Sequence, residues 1–166
     1  MIVLDNVSLQ FDQKVILNNV NFKVNQGDRV AIIGESGCGK STLLKLILGF
    51  LQPSSGEVFY NGVSISSMSI TDLRAMRMKV GMLFQSAALF DSMTVGENVS
   101  FSWCENHGEN YDSVRGKVDE ILEMVDMEGY ADEMPSSLSG GQRKRIGLAR
   151  TIAMSPTVIM YDEPTT

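Results

Sequence analysis

The chain has 166 residues, a formal net charge of −6, two cysteines and one histidine. Its length is that of one domain, or most of one, and its acidic balance argues against a nucleic-acid-binding face. No apolar run approaches the roughly 20 residues of a membrane span, Met1 to Asp5 lacks the pattern of a signal peptide, and Cys38 and Cys104 have neither metal nor disulfide spacing. The expectation is a cytoplasmic, reducing compartment, with any membrane reached through a partner.

Taken in order, Ile2 to Phe11 alternates with imperfect phase, Leu4, Val7 and Leu9 against Val3, Asn6 and Ser8, and predicts a strand. Asp12-Gln13-Lys14 predicts a turn. Alternation resumes over Val15 to Val24 and completes a hairpin. Asn25 to Asp28 turns the chain into Arg29-Val30-Ala31-Ile32-Ile33, an apolar run that reads as a buried parallel strand. Leu43 to Leu48 reads as a helix. Glu57 to Gly62 reads as a strand closed by Asn61-Gly62, giving an antiparallel patch. Thr71 to Met78 predicts a short helix, and Lys79 to Phe84 an apolar strand that delivers Gln85. Thr94 to Glu97 is a capping box, so a helix starts there and runs to about Trp103. Glu105 to Asn110 reads as a polar loop. Val114, Val118, Ile121, Leu122 and Val125 recur at helical spacing and predict an amphipathic helix from Tyr111 to about Met127. A cap region at Ser136 to Ser139 leads into a helix over Gly140 to Ala153. Thr157 to Tyr161 reads as a buried strand ending in Asp162-Glu163. The eleven methionines read as core filler.

Three stretches carry chemistry. Gly34-Glu35-Ser36-Gly37-Cys38-Gly39-Lys40-Ser41-Thr42 fits G-x-x-x-x-G-K-[ST] in full, between a predicted strand and a predicted helix. Its glycines let backbone N–H groups turn inward around a polyphosphate, and the new helix points its positive end at the same place. Lys40 is placed to bridge the β- and γ-phosphates, and Ser41 to offer its hydroxyl to Mg²⁺. Asp162 and Glu163 stand at the C-terminal end of an apolar strand, where an open α/β sheet puts its ligands. Asp162 suits Mg²⁺, directly or through water, and Glu163 suits a base that orients the attacking water. Leu138-Ser139-Gly140-Gly141-Gln142 sets a serine and two glycines at a helix start, a second anion site. One ATP does not need two such sites from one chain, so the economical reading is that this one caps the ATP held by another copy.

In this order and spacing, Gly34 to Thr42, Gln85, Leu138 to Gln142 and Val158 to Glu163 resemble the nucleotide-binding domain of ATP-binding-cassette (ABC) proteins. The resemblance covers the whole chain. It implies an α/β fold, with a RecA-like P-loop NTPase core, an antiparallel β subdomain and a helical subdomain. Residues 1–85 and 154–166 would form the core and β subdomain, and residues 86–153 the helical subdomain with its signature helix. It implies ATP and Mg²⁺ as cofactors, and a head-to-tail pair of domains, a homodimer, sandwiching two ATPs. It implies integral-membrane permease subunits engaged through the helical subdomain, on the cytoplasmic face of the membrane, and no nucleic acid. By the same resemblance Phe11 stacks on adenine, and Gln85 touches Mg²⁺ and senses the transmembrane partner. Glu163, Lys40 and Gln85 are then the catalytic group, and Ser41, Gln85 and Asp162 the metal set. Phe11, Gly34 to Thr42, Gln85 and Ser139 to Gln142 are the nucleotide contacts.

The family continues beyond the point matching Thr166 with an interface-crossing loop and a strand bearing a histidine that contacts the γ-phosphate. His107, the only histidine, lies in the polar stretch of the helical region and is expected to be a solvated surface residue. The expectation is either a fragment or an incomplete sequence of a longer protein, which as it stands does not turn over ATP alone. Met82 to Val99, with Ser86-Ala87-Ala88-Leu89-Phe90 after the glutamine, is similar to the ATPases of lipid-moving Mla/Mce-type transporters. Amino-acid import ATPases share much of this pattern and are the alternative. A soluble ABC protein working on ribosomes or DNA is a further one. Lys40 and Ser139 are 99 positions apart with no heptad array between them, which excludes the chromosome-organising branch. The presence of Lys40, Asp162 and Glu163 argues against a degenerate regulatory cassette.

Overall fold

A computed structural model describes residues 1–162. The chain divides into two units, Met1–Arg77 and the residues from Met78 onward, each with its own apolar core.

In the first unit, β1 (Ile2–Phe11) and β2 (Lys14–Val24) form the expected hairpin. With β3 (Ser55–Tyr60) and β4 (Val63–Ser64) they make a four-stranded antiparallel sheet in the order β2-β1-β3-β4. The imperfect phase of β1 has a physical cause. Asn6 adopts φ 50, and the pairing register slips between Leu4 and Val7. One extra residue at this bulge puts Ile2, Leu4, Val7 and Leu9 all on the buried side. Gly56 passes so close to the bulge that an added Cβ would strike the Asn6 carbonyl. Helix α1 (Lys40–Ile47) buries Leu43, Leu46 and Ile47, worth about 1.5–3 kcal/mol for each side chain fully taken from water. Its C-terminal end is capped from α2 (Ile70–Lys79). Arg77 donates through Nε to the Leu48 carbonyl at 2.8 Å and through Nη2 to the Gly49 carbonyl at 3.0 Å, with its guanidinium 4.4 Å from the Phe50 ring centre. A cation there complements the negative end of the helix.

The second unit pairs β5 (Val80–Leu83) with β6 (Val158–Tyr161) in parallel, Val80 opposite Val158 and Leu83 opposite Tyr161. Between them run α3 (Val95–His107), α4 (Tyr111–Met124) and α5 (Gly140–Ala153). Val95 and Val99 of α3, Val114, Val118, Ile121 and Leu122 of α4, and Ile146 and Ala149 of α5 meet in one core. This is the apolar stripe that the spacing in α4 predicts.

Several expectations need correction. Arg29 to Ile33 forms no strand, and Val30, Ile32 and Ile33 are exposed, Ile33 to 94%. Apolar character alone does not make a ladder, and among the described residues no strand pairs with this run. In β6 only Met160 is buried, and Tyr161 is 46% exposed, because β5 is its one neighbour among the described residues. Helix α3 runs through Glu105 to an exposed His107, where Gly108 in the left-handed conformation closes it with an N–H bond to the Cys104 carbonyl. The methionines are mixed: Met76, Met127 and Met160 are buried, whereas Met124 is exposed.

Candidate functional site

The glycine-rich stretch Gly34 to Thr42 lies wholly within the first unit. Gly34 to Cys38 are exposed and Gly39 is buried. Gly37 and Gly39 have φ of 78 and 103, and at Gly39 an added Cβ would sit 3.1 Å from Leu17 Cδ2 and 3.3 Å from the Ile16 carbonyl oxygen. Glycine is required there twice over, by its dihedral and by the approach of β2. The loop closes on itself through the Cys38 N–H, which donates to the Glu35 carbonyl at 3.3 Å. Lys40 folds its ammonium back into the loop, donating to the Gly34 carbonyl at 2.9 Å and the Glu35 carbonyl at 2.8 Å. Ser41 and Thr42, half-buried, follow in the first turn of α1. That turn holds no acidic residue of its own, and Gly39 offers no side-chain cap. Phe11 ends β1 in the same unit and is 49% exposed, so it is no core strand residue.

The second unit brings Gln85, the Ser139 helix start and Asp162 onto one structure. Gln85 is exposed in the turn that follows β5. Asp162 follows β6, and its N–H donates to the Leu83 carbonyl at 3.0 Å, so both residues stand at the carboxyl ends of the paired strands. Ser139 caps α5: its hydroxyl accepts from the Gln142 N–H at 3.3 Å, while Gln142 Oε1 accepts from the Ser139 N–H at 2.9 Å. The Gln142 amide also donates to the Tyr130 hydroxyl at 3.1 Å, which commits this side chain to holding the helix start. Gly140 and Gly141 are exposed, with nothing within 4 Å of an added Cβ. A depression of about 480 Å³ has Gln85, Ser86 and Asp91 on one side and Gly140, Arg143 and Lys144 on the other. Glu163 lies outside the described residues.

Residues 17–166 match the model of the family described as ABC transporter. The chain belongs to the ABC transporter family. It is 43% identical over 166 residues to the intermembrane phospholipid transport system ATP-binding protein MlaF of Haemophilus influenzae, covering 100% of this chain and 63% of that protein. It is 40% identical over 168 residues to the methionine import ATP-binding protein MetN of Carboxydothermus hydrogenoformans, covering 99% and 50%. Against the Fe(3+) ions import ATP-binding protein FbpC of Escherichia coli O157:H7 the identity is 38% over 161 residues, covering 97% and 44%. The chain spans about half the length of the curated relatives it matches. Among solved structures, the ATP-binding cassette MJ0796, a dimer in a post-hydrolysis state bound to ADP and Pi, superposes with a TM-score of 0.89 at 32% identity, covering 99% of this chain and 75% of that one. The protein cbiO1 of Clostridium perfringens, part of the complex cbiONQ, gives 0.87 at 32%, covering 99% and 65%. The fold is the mixed α/β fold of an ABC ATPase, with an antiparallel β subdomain and a helical region. The relatives' names carry different cargoes, so they single out no subfamily.

Two residues of this ABC cassette that sequence reasoning passed over hold the segment after Gln85. Asn98, fully buried in α3, accepts from the Phe90 N–H at 2.8 Å, and its amide contacts the carbonyls of Phe90, Met93 and Thr94 at 3.1, 3.2 and 2.9 Å. Arg150 of α5 donates to the carbonyls of Ala88 and Ala87 at 2.8 and 2.9 Å. Burial lowers its pKa from the ordinary arginine value, yet a guanidinium stays charged throughout the physiological range. Close packing makes room for this arrangement: an added Cβ at Gly147 would lie 3.0 Å from Ala87 Cβ.

Proposed function

We propose that the chain is the ATP-binding and ATP-hydrolysing portion of an ABC transporter subunit, acting on the cytoplasmic face of a membrane beside integral-membrane permease subunits. Among the described residues no helix is long and apolar enough to cross a membrane. The observation that carries the reading is the glycine-rich loop, with Lys40, the first residue of α1, bent back into it. In this reading Gly34, Glu35, Ser36, Gly37, Cys38 and Gly39 wrap the polyphosphate with backbone N–H groups, Lys40 supplies charge between the β- and γ-phosphates, and Phe11 lies under adenine. Residues 1–85 and 154–166 act as core and β subdomain, and residues 86–153 as helical subdomain. Ser139, Gly140 and Gly141 face the γ-phosphate held by a second cassette, with Gln142 behind them as the capping partner. The dimeric cassette MJ0796 supports the pairing by likeness.

The donor set suits Mg²⁺. Ser41, Gln85 and Asp162 each offer a hard oxygen of the kind Mg²⁺ takes. Such a sparse set is what Mg²⁺ uses when phosphates and water complete its shell. The ion, when bound, supplies neutralisation of charge on the β- and γ-oxygens. Glu163 is the base that orients and polarises the attacking water.

Phospholipid is the proposed cargo class, resting on the Met82 to Val99 stretch and the likeness to MlaF. Small-solute import is the second reading, favoured by the likeness to MetN and FbpC. Titration of a fluorescent ATP analogue into the full-length protein tests the core of the proposal. Lys40→Ala should lose contacts worth roughly 1.5–3 kcal/mol each. Glu163→Gln should keep binding and slow phosphate release by about 10²–10⁴-fold. Unchanged affinity in the first variant would refute the reading. Vesicles holding the subunit with its permease then separate the cargo classes, by stimulation with phospholipid or with amino acids.

A further inference from the structure

Arg150 lies about three turns into α5 from Ser139 and reaches out of its helix to the turn that carries Gln85. Nη1 and Nη2 donate separately to the Ala88 and Ala87 carbonyls, at 2.8 and 2.9 Å. Ala87 and Ala88 have φ of 60 and 47, two successive non-glycine residues in the left-handed region. That conformation persists only where the surroundings over-determine it. Here three things do so. The planar fork of Arg150 meets both carbonyls at once. Ala87 is 1% exposed and seated against Gly147. The Phe90 ring lies 5.6 Å from the guanidinium carbon.

We propose that Arg150 is a positioning residue for Gln85: by gripping both carbonyls it locks the Gln85 turn to the helix that begins at Ser139. The proposal rests on the reading of Gln85 and Ser139 given above. Its consequence is that the metal-facing amide and the serine that faces the opposite nucleotide travel as one body. Nucleotide affinity, set mostly by the phosphate loop of the other unit, is left alone. Loss of Arg150 therefore acts on turnover.

The test uses the full-length protein and two readouts. The Ala87 N–H donates to the Phe84 carbonyl at 2.9 Å, so its hydrogen exchange reports opening of the turn. In Arg150→Gln this amide should exchange about tenfold faster while the Val118 and Ile121 amides of α4 keep their protection. The kcat for ATP should fall about tenfold, the worth of one or two net hydrogen bonds, with KM held within about twofold. Arg150→Lys should recover part of both losses, since an ammonium reaches one carbonyl but cannot match two. Arg150→Gln combined with Gln85→Ala should be no slower than Gln85→Ala alone. Unchanged exchange at Ala87, additive losses in the double variant, or equal loss of protection in α4 would each overturn the proposal. If the parent protein itself hydrolyses no ATP, the functional reading falls, while exchange at Ala87 still decides whether Arg150 holds the turn.

Discussion

Gly116 and Gly147 both lie inside helices of the second unit, yet alanine should act with opposite sign at the two. Replacing glycine by alanine within a helix gains about 0.8–1 kcal/mol. At Gly116, on the exposed face of α4, an added Cβ meets nothing within 4 Å, so the whole gain should appear. At Gly147 the added carbon would lie 2.9 Å from Leu83 Cδ1, 3.0 Å from Ala87 Cβ and 3.3 Å from Ala87 Cα. Neither neighbour withdraws freely. Leu83 is 8% exposed, and the Ala87 backbone is tied to Phe84 and Arg150. Overpacking by one methyl group costs about 1–3 kcal/mol. Against the helix gain this leaves a net loss of about 0–2 kcal/mol at Gly147. The gap between the two variants should equal the overpacking cost itself. Urea unfolding of both full-length variants measures that gap as a shift in midpoint at constant m. Equal stabilisation by the two substitutions would refute the packing argument.

Asn98→Leu keeps the branched side-chain skeleton but leaves the part-buried Phe90 N–H and Met93 carbonyl without the Asn98 amide, and should cost about 1–3 kcal/mol; an unchanged thermal midpoint would contradict the role given to that amide. The bidentate bond from Arg115, at 2.8 and 2.9 Å, holds the Asp132 carboxyl below the usual carboxylate range. Its stabilisation is therefore full above the unfolded carboxylate pKa and is lost as pH falls through the lowered folded value. Carbon-detected NMR titration should show that depression, and Arg115→Gln should return Asp132 to an ordinary value. Ser139→Arg should leave nucleotide binding by one cassette nearly intact and abolish turnover, and mixing it with Lys40→Ala should restore partial activity through the one composite site left whole. No recovery in the mixture would count against the two-cassette sandwich.

What the sequence reveals most plainly is whatever closes over a short span. Thr94 with Glu97 and Ser139 with Gln142 are partners three residues apart, and α3 and α5 begin where those pairs indicate. The G-x-x-x-x-G-K-[ST] motif is likewise contiguous, Gly34 to Ser41. The β1 bulge shows in sequence only as a phase slip, because its cause is the dihedral of Asn6. The two-residue β4 is too short to leave a pattern. Arg29 to Ile33 has the apolarity of a buried strand, but a ladder is a property of two strands and cannot be read from one. The left-handed Ala87–Ala88 pair was out of reach for a different reason. Alanine is no turn former, and the arginine that imposes the turn stands 63 and 62 positions away from the two residues. Asn98 likewise looks like any polar residue on a helix until the loop that wraps it is in view.

Both grips on the segment after Gln85 close on main-chain atoms. Arg150 takes the carbonyls of Ala87 and Ala88, and Asn98 takes the N–H of Phe90 and the carbonyls of Phe90, Met93 and Thr94. Every residue type offers the same carbonyl and, proline aside, the same N–H. The exposed side chains of Ser86 and Asp91 are thus uncoupled from the forces that shape the turn beneath them. The segment behaves as a fixed mount with a replaceable facing. Its outer chemistry can drift, residue by residue, toward a new docking partner while Gln85 stays in register.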